Sequence, residues 1–231
     1  MRRCGLSHTR KHAILNIMTE DFADVLMMLY RQGVFPMAES ADDPQIMVIE
    51  PKMRGIIPIN ALHIPKSLKK RINKNDYQIK IDHAFPAVID ACATPADGRE
   101  NTWINRPIKK GFETLHRRGH AHSIEVWRDD TLVAGLYGLA LGAIFCGESM
   151  FTAQRDMSKV ALVHLCALLK HFDYKLLDAQ FITDHLMRFG AYEMPQEEYI
   201  LQIEQWGEAK RAFPTQFNKQ WLDDFLDSKQ T

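Results

Sequence analysis

The stretch Ser123-Ile-Glu-Val-Trp-Arg-Asp-Asp-Thr-Leu-Val-Ala-Gly-Leu-Tyr-Gly-Leu-Ala-Leu-Gly-Ala-Ile-Phe-Cys146 sets the fold class. Three β-rich runs, 123–127, 131–136 and 143–146, follow one another, the first pair joined at Arg128-Asp129-Asp130, so the segment reads as an antiparallel meander. Downstream the pattern predicts a loop over 148–156, an apolar helix over 159–171 with Ser158 as N-cap, and a strand over 176–181. Period-2 geometry would put Asp178 and Gln180 on one face of that strand. A short helix over 183–189 closes at Gly190, and the tail with Trp206, Trp221 and Phe225 holds two further amphipathic helices. Upstream, a helix is predicted over 20–32, with Thr19 as N-cap and Gly33 as terminator, followed by an extended turn at Gly33-Val34-Phe35-Pro36. Short strands over 41–62 are broken by Pro44, Pro51 and Pro58. A basic helix starts at Pro65, a strand covers 77–81, and helices begin at Asp82 and Ile108, the latter closing at Gly119.

This order, helices and then a meander, a helix and a further strand, matches an acetyltransferase-like (GNAT-type) α+β sheet. We therefore expect an α+β fold in which a small N-terminal α+β domain, 1–62, packs on a GNAT-like domain, 63–231. The chain has 231 residues, 46% of them hydrophobic, enough to bury a substantial core. Lys plus Arg and Asp plus Glu both number 29, so nucleic-acid contact would need a local basic patch, and a non-specific DNA coater is disfavoured. Cys4, Cys92, Cys146 and Cys166 are widely spaced without a Cys-x-x-Cys pair, which suits reduced thiols and a cytoplasmic location. No apolar run reaches about 18 residues, so no membrane span is expected.

The motifs of P-loop phosphoryl transfer, zinc hydrolysis and serine hydrolysis are absent. Attention falls on Gly135–Phe151, an apolar run broken by glycines at 135, 138, 142 and 147 that holds one carboxylate, Glu148. It reads as a pocket wall, greased by Leu136, Leu139, Leu141, Ile144 and Phe145. Polar groups able to converge on it are Glu148, Ser149, Asp178 and Gln180. A carboxylate there can hold an ammonium group, and an α-amine, with an ordinary pKa of about 7.7 to 8, needs little help to attack an activated ester.

Plainer readings stand beside these. Glu148 also fits a solvated turn, and Gln180 alone is uninformative. Asp178, in an apolar strand, calls for a specific partner, because an unpaired buried carboxylate is costly. Cys146 reads as a small core residue, and His120 and His122 as structural hydrogen-bonding groups. Lys66, Lys69, Lys70, Arg71 and Lys74, with Arg99, Arg106, Lys109, Lys110, Arg117 and Arg118, are either separate solvated faces or, if gathered near the pocket, a surface that tracks phosphates. Two other readings carry less weight. An acyl-CoA-dependent acetyltransferase would want a basic glycine-rich loop entering a helix, and Gly138–Gly142 lacks basic residues and leads into a strand. An RNA-binding module would want aromatics among the lysines of 66–74, and there are none.

A set of ordered strings then carries a resemblance: Tyr30-Arg-Gln-Gly-Val-Phe-Pro36, Thr102-Trp-Ile104, Gly119-His-Ala-His-Ser-Ile-Glu-Val-Trp127, Gly135-Leu-Tyr-Gly138, Phe145-Cys-Gly-Glu-Ser-Met-Phe151, Ser158-Lys159, Asp178-Ala-Gln180 and the segment from His185 to Gly190-Ala191. Together, over about Tyr30 to Tyr199, the chain resembles the bacterial leucyl/phenylalanyl-tRNA-protein transferases. The resemblance implies a cytoplasmic enzyme of the N-degron pathway, without metal or cofactor. It would move Leu or Phe, with Met a further candidate, from aminoacyl-tRNA to the N-terminal Arg or Lys of acceptor proteins, and would have no DNA or membrane partner. Carried over by motif, Gln180, Asp178 and Glu148 belong to the reacting centre, and Glu148 with Ser149 to the acceptor peptide. Leu136, Phe145, Met150, Leu162, Leu169 and Leu177 would line the donor side-chain pocket, and Lys66, Lys69, Lys70, Arg71, Lys74 and Trp103 would contact tRNA. Two places depart from the family pattern: Val48-Ile49 stands where an aromatic pair is common, ahead of Glu50-Pro-Lys-Met-Arg54 in place of Ser-Pro-Asp-Pro-Arg, and residues 16–21 replace a Gly-Gly-Asp segment.

Overall fold

The meander is present and longer than its sequence pattern suggested. In the computed structural model, which describes residues 9–12, 21–95 and 101–228, β5 (Gln78–Ile81), β6 (Ala121–Arg128), β7 (Thr131–Leu141) and β8 (Ile144–Thr152) pair antiparallel in chain order. Strand β8 does not stop at Cys146, so Glu148, expected at the start of a loop, lies inside a strand. The reason is a break in register: Tyr137 pairs with Ser149 but Gly138 pairs with Gly147, leaving Glu148 as the extra residue of a β-bulge. A bulge interrupts the alternation that sequence patterning relies on, and it re-aims one side chain.

Gly138 makes this bulge possible. A Cβ there would stand 2.3 Å from the Cys146 carbonyl oxygen and 2.5 Å from the Phe145 ring. Gly138→Ala is therefore expected to destabilise the protein by about 1–3 kcal/mol, seen as a lower urea midpoint at unchanged m-value.

After β8 the chain crosses over through α5 (Met157–His171) and returns as β9 (Leu176–Asp178), parallel to β8. The remaining strands of this sheet come from distant parts of the chain: β4 (Met53–Ile57) pairs with β9 on one side and with β10 (Tyr192–Pro195) on the other. The seven-stranded order is β10-β4-β9-β8-β7-β6-β5. A second, three-stranded sheet sets β3 (Met47–Pro51) between β1 (Thr9–His12) and β2 (Phe35–Met37). Residues before 62 thus contribute to both sheets, and the protein is of the mixed α+β class.

Alternating side chains place a core on each face of the large sheet. Ile57, Phe145 and Leu177 face α5, α2 (Lys66–Asn73) and α8 (Lys219–Asp227). Their neighbours Ile56, Ile144, Cys146 and Leu176 face α1 (Phe22–Arg31), α3 (Phe85–Ala93), α4 (Arg106–Arg117) and α7 (Gln196–Trp206). Helix α5 is buried around most of its circumference because it lies between the sheet and α8, which explains its nearly continuous apolar sequence.

Several local expectations are corrected. Helix α1 starts at Phe22 with Asp21 as its cap, accepting from the Ala23 N–H at 3.1 Å; Thr19 lies outside the described residues. Helix α5 starts at Met157 from a left-handed Asp156, so Ser158 sits within the first turn and does not cap it. Strand β9 ends at Asp178, and Gln180 is left-handed with φ +57°, so strand parity does not extend to it. The last short helix, α6, is Asp184–Met187, capped by Thr183. Cys92, Cys146 and Cys166 are buried and form no disulfide among the described residues, and Cys4 lies outside the described residues. Among the described residues no helix is long and apolar enough to cross a membrane.

Candidate active site

The parallel ladder between β8 and β9 ends at the pair Cys146 and Asp178, and beyond it the two strands part. Between them opens a cavity of about 350 Å³. The bulged segment Gly147–Met150 forms one wall and Asp178–Phe181 the other. Of the residues named for the donor pocket, Leu136, Met150, Leu162 and Leu177 line this cavity, together with Ile57 and Leu165. Phe145 and Leu169 do not line it. Both are fully buried in the core, Phe145 on the same sheet face as Leu177 but packed between Gly138 and the Phe213 ring 5.5 Å away.

Beneath the cavity lies the partner that Asp178 required. Arg54, fully buried on β4, meets the Asp178 carboxylate through two parallel bonds, Nε to Oδ1 at 2.8 Å and Nη2 to Oδ2 at 2.7 Å. The Tyr199 hydroxyl of α7 donates to Oδ2 at 3.0 Å, and the Gln180 backbone N–H donates to Oδ1 at 2.9 Å. Arg54 also donates through Nη1 to the carbonyl of Gly33, 3.1 Å away, and its guanidinium lies against the rings of Tyr199 and Phe35, with centroids at 4.4 and 4.8 Å. Burial alone would lower the Arg54 pKa, but the Asp178 carboxylate raises it. Both oxygens of Asp178 are thus engaged, and one of their bonds holds the left-handed turn at Gln180.

That turn aims Gln180 across the gap, where its amide Nε2 donates to Glu148 Oε1 at 3.0 Å. Glu148 is half-buried, with one face on the cavity. Its surroundings are dry enough that burial first, and the Asp178 charge next, raise its pKa to about 8 against the opposing effects of Tyr30, Arg54 and Gln180. The Tyr30 hydroxyl, fully buried at the end of α1, adjoins the Glu148 carboxylate without making a hydrogen bond of normal geometry. The nearby Cys146 thiol is raised well above its ordinary range by burial, so it is a core group and not a nucleophile.

Ser149 and Trp103 also line the cavity, Trp103 on the side of Phe35 and Met37. The basic residues divide. Lys66, Lys70 and Lys74 are exposed on or beside α2, Lys69 is half-buried, and Arg71 is tied to Asp76. On the other face of the sheet Lys109 pairs with Asp90 and Glu113, and Arg118 with Asp21 and Asp24, so these belong to separate solvated surfaces. Arg99 lies outside the described residues. His122 bonds Asp82 at 2.7 Å and the Gly119 carbonyl at 3.2 Å, a structural role. Val48 and Ile49 are buried in β3 and do not reach the cavity.

Sequence reasoning missed Arg54, Tyr199 and Tyr30 as parts of the site. The available signal was Arg54 itself, a cation set into the apolar strand run Met53-Arg-Gly-Ile-Ile57.

A family model described as leucyl/phenylalanyl-tRNA protein transferase matches residues 56–204, which include the end of β4, the bulge and the Asp178–Gln180 turn. A leucyl/phenylalanyl-tRNA–protein transferase of Nitrobacter winogradskyi is 51% identical over 176 residues, covering 76% of this chain and 78% of the relative. Its counterpart in Hyphomonas neptunium is 51% identical over 174 residues, 75% of this chain and 67% of the relative. At this identity and coverage the chain belongs to the leucyl/phenylalanyl-tRNA-protein transferase family and is an aminoacyltransferase.

Proposed function

We propose that the protein transfers Leu or Phe, and Met as a further donor, from aminoacyl-tRNA to the N-terminal Arg or Lys of acceptor proteins in the cytoplasm, marking them for N-degron degradation. The observation that carries this reading is the Gln180–Glu148 hydrogen bond at the edge of an apolar cavity, a polar pair beside a space fit for an aliphatic or aromatic side chain. The parting of β8 and β9 at that cavity supports an acetyltransferase-like placement of donor and acceptor. Three buried cysteines without a disulfide among the described residues support the reducing compartment.

In this reading the donor side chain enters the cavity and its ester carbonyl lies near Gln180. The acceptor arrives as an α-ammonium group and binds Glu148. Because the Glu148 pKa, about 8, nearly matches that of an α-amine, the carboxylate takes one proton at little free-energy cost. The amine nitrogen then attacks the ester carbon, the C–N bond forms, the C–O bond to the ribose breaks, and the departing ribose oxygen takes the remaining surplus proton. Gln180 has a second amide N–H for the developing oxyanion. Asp178 positions Gln180 and takes no proton. The scheme uses no covalent enzyme intermediate, metal or cofactor.

The apolar walls suit side chains unbranched at Cβ. Leu162→Ala is expected to lower kcat/KM for the leucyl donor by about tenfold, and for the larger phenylalanyl donor by less, in a competition assay with both charged tRNAs. The reading as a whole is tested by mixing the protein with labelled Leu-tRNA or Phe-tRNA and peptides that begin with Arg, Lys or Asp. Label on the Arg and Lys peptides alone is expected; an unlabelled Arg peptide would sink it.

A further inference from the structure

The exposed lysines of α2 do not line the cavity, yet the packing of α2 leads directly to its mouth. Leu68 and Ile72 share a core with Met157, Leu186 and Phe189, and Arg71 Nη2 lies 3.6 Å from the Met157 sulfur at the start of α5. The backbone N–H of His63 donates to the Phe189 carbonyl at 3.0 Å, tying the approach to α2 to the end of α6. Between α2 and the opening stand two cations that the sequence did not single out as binding groups. Lys159 lies one turn before Leu162, a wall residue, on the same face of α5; it is half-buried and held by Asp156 at 2.6 Å. Arg188 is exposed just after α6 and makes no ion pair among the described residues.

Between them sits His185, whose ring forms part of the cavity wall. It is half-buried, three residues before Arg188, and its pKa is lowered, first by burial and then by the charges of Lys159 and Arg188. The acidic groups of this rim are Asp156, already paired with Lys159, and Asp184, exposed on α6. Exposed Arg155 also lies 3.7 Å from Asp156, so that carboxylate faces two cations.

We propose that Lys159 and Arg188 form a phosphate-binding step between α2 and the cavity, which holds the last phosphodiesters of a single-stranded RNA 3′ end while its aminoacyl ester occupies the cavity. This inference rests on the aminoacyl-tRNA reading above. A strand running from the lysines of α2 past Arg188 and Lys159 would meet cations along its path and reach the gap between β8 and β9 with its terminal ribose. Phosphate contacts of this kind position a nucleic acid without reading its sequence.

The test compares two donors for the same Arg peptide: Phe-tRNA, and 3′-O-phenylalanyl-adenosine, which has no phosphodiester. Arg188→Ala and Lys159→Gln are each expected to lower kcat/KM with Phe-tRNA by about tenfold. They should also make its dependence on log salt shallower by about 0.7 per cation removed. The loss with the adenosine donor should be several-fold smaller. Lys110→Ala, an exposed lysine on α4, serves as the distant control and should change neither donor. Arg188 is exposed, so its variant tests the site even if Lys159→Gln loosens the start of α5. Equal losses with both donors, or an unchanged salt slope, would overturn the phosphate site. A wild-type protein that transfers nothing from Phe-tRNA instead defeats the aminoacyl-tRNA reading, and the site with it.

Discussion

Arg54→Met is expected to destabilise the protein by about 3–5 kcal/mol, because it leaves the fully buried Asp178 carboxylate without its cation. The loss exceeds that of an ordinary hydrogen bond because Arg54 joins four parts of the chain at once. It reaches Gly33 after α1, Asp178 on β9, and Tyr199 on α7, from its own place on β4. A second change separates the cost of the orphaned charge from the worth of the pair. Arg54→Met with Asp178→Leu should recover much of the stability in a urea titration, since a buried ion pair is often replaceable by apolar groups of similar volume. Its activity should stay low, because the Asp178 bond that holds the Gln180 turn is gone. A double variant as unstable as the single one would show that the site is held by something other than charge pairing.

The second large effect concerns Glu148. Glu148→Gln keeps the shape of the side chain and a partner for Gln180 but removes the proton acceptor, so kcat/KM for the acceptor peptide should fall by about 10²–10³. Binding of the charged tRNA should change far less. Comparable losses in acceptor use and tRNA affinity would place the carboxylate outside the acceptor site. Asp178→Asn makes a useful contrast, because it is expected to act through stability and the Gln180 turn while leaving a proton acceptor at 148, whose pKa falls with loss of the Asp178 charge.

Much of the fold is legible locally. The hairpin at Arg128-Asp129-Asp130, the apolar α5 and the tail helices follow from patterns within a few residues of one another. What escapes is what depends on distant pairing. Strand β4 takes its place between β9 and β10 from a position early in the chain, and Arg54 meets Asp178 across 124 residues. An unpaired carboxylate in an apolar strand announces that it needs a partner but not which cation answers. The site itself sits where local rules stop holding. Glu148 occupies a bulge that breaks strand alternation, and Gln180 adopts a left-handed conformation that ends strand parity, so pattern reading names both residues yet misplaces their backbones. The motif carry-over has a similar limit. It names Leu136, Met150, Leu162 and Leu177, which line the cavity, together with Phe145 and Leu169, which are packed within the core beside it.

The central claim is that Glu148, lifted by burial, takes the proton of the acceptor ammonium. The most direct measurement is kcat/KM for transfer of Phe from Phe-tRNA to an Arg-initiated peptide, followed from pH 5.5 to 8 in the wild type and in Glu148→Gln. A carboxyl group with a pKa of about 8 must lose its proton before it can accept one, so the wild-type value should climb with pH over this range. The rise should approach tenfold per pH unit below about 7 and level off near 8. The variant should stay about 10²–10³-fold slower throughout, its residual rise coming from titration of the acceptor amine alone. A wild-type profile that is flat below 7, or a variant as fast as the wild type, would contradict a proton-accepting role for Glu148.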